Sequence, residues 1–341
     1  MHARPRVHLS AGGGGLLASV LVVCGVVGAL GCKPDPTTHA PSTTPEPAPL
    51  ADEFGPWSAP LEREHPLIGQ AWSPAEGRAI SRAELEQRLA SARFVLLGET
   101  HDNPDHHRLQ GELITSLAEG KPAVVFEMLD PAYQPAIDGF AGEVDEFAEQ
   151  VAWADSGWPE WAIYRPVFAA TLAAKLPILA AELPREQTRR FMAEGLAMFD
   201  PSLVARFGLS EPLPAELESA WLDDMFAAHC EMVPREHLGG MVEVQRLRDV
   251  RMADAMLRGA EAQGQAILVA GGGHARRDWG VPRLLRAIET DAAEGEIVSV
   301  GFVAAQPDAL DPSDYPAIFD VLVFTPEVER EDPCASFKPP A

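Results

Sequence analysis

Phe94-Val95-Leu96-Leu97-Gly98-Glu99-Thr100-His101 decides the fold. A short unbroken apolar run that ends in Gly and polar residues reads as a buried strand entering a sharp turn. Ala266-Ile267-Leu268-Val269-Ala270-Gly271-Gly272-Gly273-His274 repeats the pattern far downstream. Gly at the mouth of a buried strand lets the backbone turn and lets another group approach closely. The His after each turn falls at the carboxyl end of a parallel strand, where open α/β sheets place their ligands. Two G-x-x-H turns from distant segments therefore predict one composite site. The plain alternative is two ordinary Gly-rich turns with surface His.

The segments between these turns alternate strand with helix. Ser81-x-x-Glu84 is a capping box for a helix through about Ala92. Asn103-Pro104 caps another to about Glu119. Ala123–Glu127 and Pro177–Glu182 read as buried strands, the second after a helix near 164–175. Helices are expected at about 214–229, 240–262 and 281–288, with strands at 266–270, 296–303 and 320–324. The pattern is α/β, with a largely parallel central sheet covered by helices on both faces. Glu99, His101, Glu127, Glu182 and His274 all end strands and should meet at one edge.

The first 31 residues read as a lipoprotein signal peptide. Arg4 and Arg6 precede an apolar stretch, Leu16–Leu30, that is short for a membrane span, and Gly31-Cys32 follows. Cys32 is the expected lipidation site, with plain secretion or a retained anchor as the other readings. Residues 32–55, rich in Pro and Thr, read as a tether. One domain is expected over 56–327 and a disordered tail over 328–341. The chain carries 27 Lys and Arg against 51 Asp and Glu, a net charge of −24. That balance speaks against nucleic acid, which needs basic neutralisation. Of four Cys, Cys230 and Cys334 remain after the signal and the lipid anchor. They either pair or stay apart, and spacing does not decide it.

Two imidazoles and two carboxylates, His101, His274, Glu99 and Glu127, suit a divalent transition metal such as Mn, Co or Zn. Such a metal would activate water, with Glu99 or Glu127 as the catalytic carboxylate. Without metal, either Glu with His101 makes a base pair. His106 and His107, in the first turn of the next helix, are further candidate ligands. Trp153, Trp158, Trp161, Tyr164 and Phe168 cluster in one segment, as either a flat ligand pocket or a hydrophobic plug. His229 and His237 are candidate pocket residues. Arg248, Arg276 and Arg277 would steady an anion or form ordinary salt bridges.

Several motifs resemble the ChaN-like haem-binding uptake family, within the Tiki, TraB and erythromycin-esterase-like superfamily. They are Val95–His107, Val125-Phe126-Glu127-Met128, Trp161-x-x-Tyr164-Arg165-Pro166, Leu183-Pro184-Arg185, Gln245-Arg246-Leu247-Arg248-Asp249-x-x-Met252-Ala253 and Val269–Pro282. The resemblance covers about 85–305. It implies an α/β fold and an iron-linked lipoprotein of the cell envelope, anchored at the outer membrane or its periplasmic face. Haem would lie between two protomers of a homodimer, its iron taken by a Tyr with a His nearby. Tyr164 is the expected Tyr, with Trp161, His229 and Arg276 completing the cofactor-binding set. Glu182 stands where the family commonly has Asn. The superfamily also contains metal-dependent hydrolases, so a peptidase- or esterase-like enzyme is the alternative to a haem binder.

Overall fold

The computed structural model describes residues 52–293, 295–331 and 334. The expected signal, Cys32 and the tether up to residue 51 lie outside the described residues. Eight strands form one sheet: β1 (Ala71–Ser73), β2 (Arg78–Ile80), β3 (Phe94–Glu99), β4 (Ala123–Phe126), β5 (Ile178–Ala180), β6 (Ala266–Gly271), β7 (Ile297–Ala304) and β8 (Val321–Thr325). Their order is β2-β1-β8-β7-β3-β6-β4-β5. The six strands from β8 to β5 pair in parallel, and β1 pairs antiparallel with β8 and with β2.

The two strands that carry the G-x-x-H turns are neighbours. Phe94 pairs with Ala266 and Glu99 with Gly271, so both chains leave the sheet at the same level. β4 flanks β6 on its other side, with Phe126 opposite Val269, and brings Glu127 to that edge. The continuous apolar runs arise because successive side chains enter two different cores. Val95 and Leu97 pack on one face with Leu109, Leu113, Tyr164 and Phe168. Phe94 and Leu96 pack on the other with Val250, Met256 and Leu285. Helices Pro104–Leu117 and Trp161–Ala173 cover the first face, and Gly239–Gln263 and Gly280–Ile288 the second.

Local sequence sets the element ends. The Ser81 side chain accepts the Glu84 N–H, and the Asn103 side chain accepts that of Asp105. Asn103 also donates to the Pro326 carbonyl, and Asp105 accepts from the Ser58 and Ala59 N–H groups. These bonds pin the loop that carries Thr100 and His101.

The ordered fold exceeds the expected limits of 56–327. Phe54 is in the core, and Asp52 accepts from the Gly55 N–H and the Trp57 indole. The expected loose tail is tied at two points. Arg330 donates twice to Asp102, and Cys334 forms a disulfide with Cys230.

Candidate functional site

The carboxyl edges of β3, β4 and β6 carry two linked polar clusters. In the first, Glu99 Oε1 lies 2.8 Å from His101 Nδ1 and accepts the Tyr164 hydroxyl at 2.9 Å. Glu99 Oε2 lies 2.7 Å from His107 Nδ1. Glu99, His107 and Tyr164 are fully buried as side chains, whereas the His101 side chain is 39% exposed. Burial acts most strongly on Glu99 and alone would raise its pKa. The charge of His107 and the hydrogen bond from His101 outweigh it and hold the carboxyl at about 2.

In the second cluster, Glu127 accepts from Arg248 and from the Gly271 N–H, the latter at 2.7 Å. His274 lies between two carboxylates, with Nδ1 2.6 Å from Asp249 and Nε2 3.3 Å from Glu127. Burial opposes charge on His274, but the charges of Glu127 and Asp249 prevail and raise its pKa to about 9. Burial would likewise raise Glu127, yet His274 and then Arg248 drive it well below the usual carboxylate range.

The glycines at the strand mouths are required by these approaches. A Cβ on Gly271 would lie 2.9 Å from both Cε1 and Nε2 of His101. One on Gly98 would lie 2.8 Å from the Ala275 Cβ. The edge of Trp158 packs on the other side of His101, with ring centroids 4.9 Å apart.

A cavity of about 480 Å³ opens over this edge. It is lined by Gly271–Gly273, by the apolar Trp221, Met225 and Trp279, and by the polar Thr100, Asp224, Gln245 and Asp249. His101 and His274 both line it, so the two G-x-x-H turns meet at one edge of the sheet. Only His101 brings an uncommitted ring nitrogen there. Its Nδ1 is taken by Glu99, and Nε2 makes no hydrogen bond among the described residues.

This arrangement corrects the expected metal set. His101, His274, Glu99 and Glu127 converge, but as two carboxylate–imidazole clusters whose donors face one another. Among the described residues no group of three or more His, Cys, Asp and Glu is placed to hold a metal ion. His106 is structural: Nδ1 accepts the Thr100 N–H and Nε2 meets the Thr325 hydroxyl. Burial lowers its pKa to about 3.

Tyr164 is also corrected. Its ring is 0% exposed, packed 3.9 Å from the His107 ring, and its hydroxyl is given to Glu99. Burial, and then the Glu99 charge, raise the phenol far above its ordinary pKa, which opposes a tyrosinate ligand. Trp161 lies away from the cavity, with its indole N–H bonded to Asp145, and His229 caps a helix by bonding the Met225 carbonyl. Arg276 stands near the cavity, 3.4 Å over the Trp279 ring and paired with Asp278. The aromatic segment divides: Trp153 and Phe168 plug the core, while Trp158 reaches His101.

Sequence reading passed over Asp249, Trp221 and Trp279. Asp249 carries a signal, since it sits three residues after Arg246 and four before Ala253 on the buried stripe of its helix. Glu182 lies two residues beyond β5 and lines a separate cavity with Asp130 and Arg185. Burial, with the Asp130 charge, raises its pKa to about 7.

Residues 85–285 match the family described as haem-binding uptake, Tiki superfamily, ChaN. Among solved structures, the chain is similar to that titled cofacial haem binding to ChaN of Campylobacter jejuni. The identity is 22% and the TM-score 0.56, over 74% of this chain and 95% of that one. The type III effector HopBA1 is more distant, at 12% identity and TM-score 0.42 over 71% and 92% of the two chains. So is a variant of the erythromycin esterase EreC, at 15% and 0.36 over 65% and 72%. Comparison with the curated proteins gives no match.

Proposed function

We propose, on the premise that this chain belongs to the haem-binding uptake family of the Tiki superfamily, that its cavity binds haem through His101. The observation that carries this is the ring of His101, which lines a cavity of about 480 Å³ with Trp221 and Trp279 and whose Nε2 makes no hydrogen bond among the described residues. The residues fit the group. The volume is in the range of cofactor pockets, roughly 300–1,000 Å³. Trp221, Trp279 and Met225 offer apolar faces to a flat macrocycle, and Gly271–Gly273 present no side chains to obstruct it. A ligating His usually gives its other ring N–H to a carboxylate, and Glu99 is that carboxylate. Bound haem would supply an iron centre whose properties follow its axial ligand.

The test is a titration of ferric haem into the folded unit, Pro49–Ala341. A shifted Soret band with saturation is expected. His101→Ala should weaken binding by more than the roughly 10- to 100-fold typical of losing an outer partner of a ligand. No spectral change in the parent protein would overturn the proposal.

We further propose that the chain is exported, lipidated at Cys32, and serves iron acquisition or haem handling at the cell envelope. Support comes from the Leu16–Leu30 stretch and Gly31-Cys32. The Campylobacter relative binds its haems cofacially, so a homodimer closed over haem is part of this reading. Cys32→Ser should leave an unprocessed precursor, and normal processing would overturn the lipoprotein assignment. Sedimentation with and without haem tests the dimer; a monomer under both conditions would overturn it.

A further inference from the structure

We infer that Glu99, buttressed by Tyr164 and His107, is a positioning residue that holds His101 with its proton on Nδ1 and its lone pair on Nε2, on a ring that lines the cavity. This rests on the haem reading above and names what sets up the ligand. The hydrogen bonds determine the assignment in sequence. Gln110 Nε2 donates to the Leu97 carbonyl at 2.9 Å, which turns Gln110 Oε1 toward His107 Nδ1 at 3.1 Å. His107 Nε2 faces the His101 carbonyl at 3.0 Å. Both ring nitrogens of His107 thus face acceptor oxygens.

That ring lies against Glu99 Oε2, which is buried and has no hydrogen bond among the described residues. His107 Nδ1 approaches this oxygen to 2.7 Å. It occupies one carboxylate oxygen and stops the group from turning. The other oxygen receives the Tyr164 O–H at 2.9 Å. Having given its hydrogen to Glu99, the Tyr164 oxygen presents only lone pairs to His101 Nδ1, 3.2 Å away. His101 Nδ1 therefore faces two acceptors and must carry the hydrogen. Gly271 and Trp158 fix the plane of the ring. Nε2 is left as the free lone pair, and an ionised partner on Nδ1 makes it more electron-rich.

A merely structural cluster would hold the turn without affecting the ligand, and three measurements separate the two roles. Glu99→Gln keeps size and removes charge. It should weaken ferric haem binding 10- to 100-fold, the usual cost of losing an outer partner of a ligating His. It should also raise the ferric/ferrous midpoint potential, because a less electron-rich imidazole favours ferrous iron. In a His101→Ala background the same substitution should change neither quantity. Where Glu99→Gln does not fold, nitrogen NMR of the haem-free parent protein at alkaline pH reads the His101 tautomer directly, and a proton on Nε2 overturns the inference. A folded Glu99→Gln protein with parental affinity and potential overturns it too, while leaving the haem reading intact. Haem binding that His101→Ala does not alter overturns His101 as the ligand, and the positioning role falls with it, whereas no haem binding by the parent protein overturns the haem reading itself.

Discussion

The ring of His101 rests against the α-carbon of Gly271, so closely that a Cβ there would lie 2.9 Å from Nε2. Neither residue is near the other in sequence. They meet because β3 and β6 are adjacent and Glu99 pairs with Gly271. Gly271 has φ −55° and ψ 144°, a backbone conformation open to alanine. Gly271→Ala should therefore fold, at a cost of about 1–3 kcal/mol for overpacking, with the His101 ring displaced. Haem affinity should fall with little change in circular dichroism. An alanine variant with parental haem affinity would show that this ring position does not matter for binding.

His274→Ala tests the second cluster. It would leave Glu127 and Asp249 buried without the cation between them. Breaking a buried ion pair on one side typically costs about 3–5 kcal/mol. Urea unfolding should show a loss of that order, larger than for His101→Ala, whose side chain is partly exposed. Equal losses would mean that His274 is no more structural than His101.

Stability should depend on pH through the same groups. His274 has a folded pKa of about 9 against an ordinary 6.5. A raised pKa contributes stability that is fully present below 6.5 and is lost as pH rises through about 9. His101 is raised as well: burial opposes its charge, but Glu99 and Glu127 prevail. Glu99 and Glu127 are lowered, so their contribution is present above their ordinary value and lost as pH falls toward about 2. Asp249, raised by burial, works against that acid limb. Urea midpoints should fall between pH 6.5 and 9, and His274→Ala should flatten that decline. An unchanged slope in the variant would assign the alkaline limb elsewhere.

The strands that build the site were legible because they are buried on both faces. Phe94–Leu97 and Ala266–Ala270 have no polar residue to interrupt them, and Gly98 and Gly271 mark where other chain segments press in. β1 and β2 were not legible, since three residues each give no period to read. Within the site, residue types were legible and partners were not. His106 and His107 are adjacent on one helix, yet one bonds Thr325 near the chain end and the other meets Glu99. Local sequence cannot distinguish them, because the sheet order β7-β3-β6 decides what each faces. The Tyr164 reading went astray for the same reason. A Tyr on an aromatic helix looks like a pocket residue until the Glu99 carboxylate beneath it is seen.

The cavity's Trp221 wall depends on the far end of the chain. Trp221, Asp224 and Met225 lie on helix Ala215–Ala228, and Cys230 follows its capping residue, His229. The disulfide to Cys334 spans 104 residues and ties that helix end to the segment after β8. Asp102, next to His101, receives Arg330 from the same segment at 2.8 and 3.1 Å. The Arg330 pair is exposed and worth about 0–1 kcal/mol, so the disulfide is the main tie. A cross-link over so long a loop typically contributes about 2–5 kcal/mol, mostly by restricting the unfolded chain. Cys230→Ser should lose stability of that order. Hydrogen exchange should rise in Ala215–Ala228 more than in β3 or β6, because that helix buries little besides Trp221. Dithiothreitol should reproduce the change in the parent protein and add nothing in the variant. Disulfides are rare where thiols are kept reduced, so if the proposed export is right the protein isolated from cells should carry this one without added oxidant. Two free thiols in that material would contradict both the pairing and the proposed export.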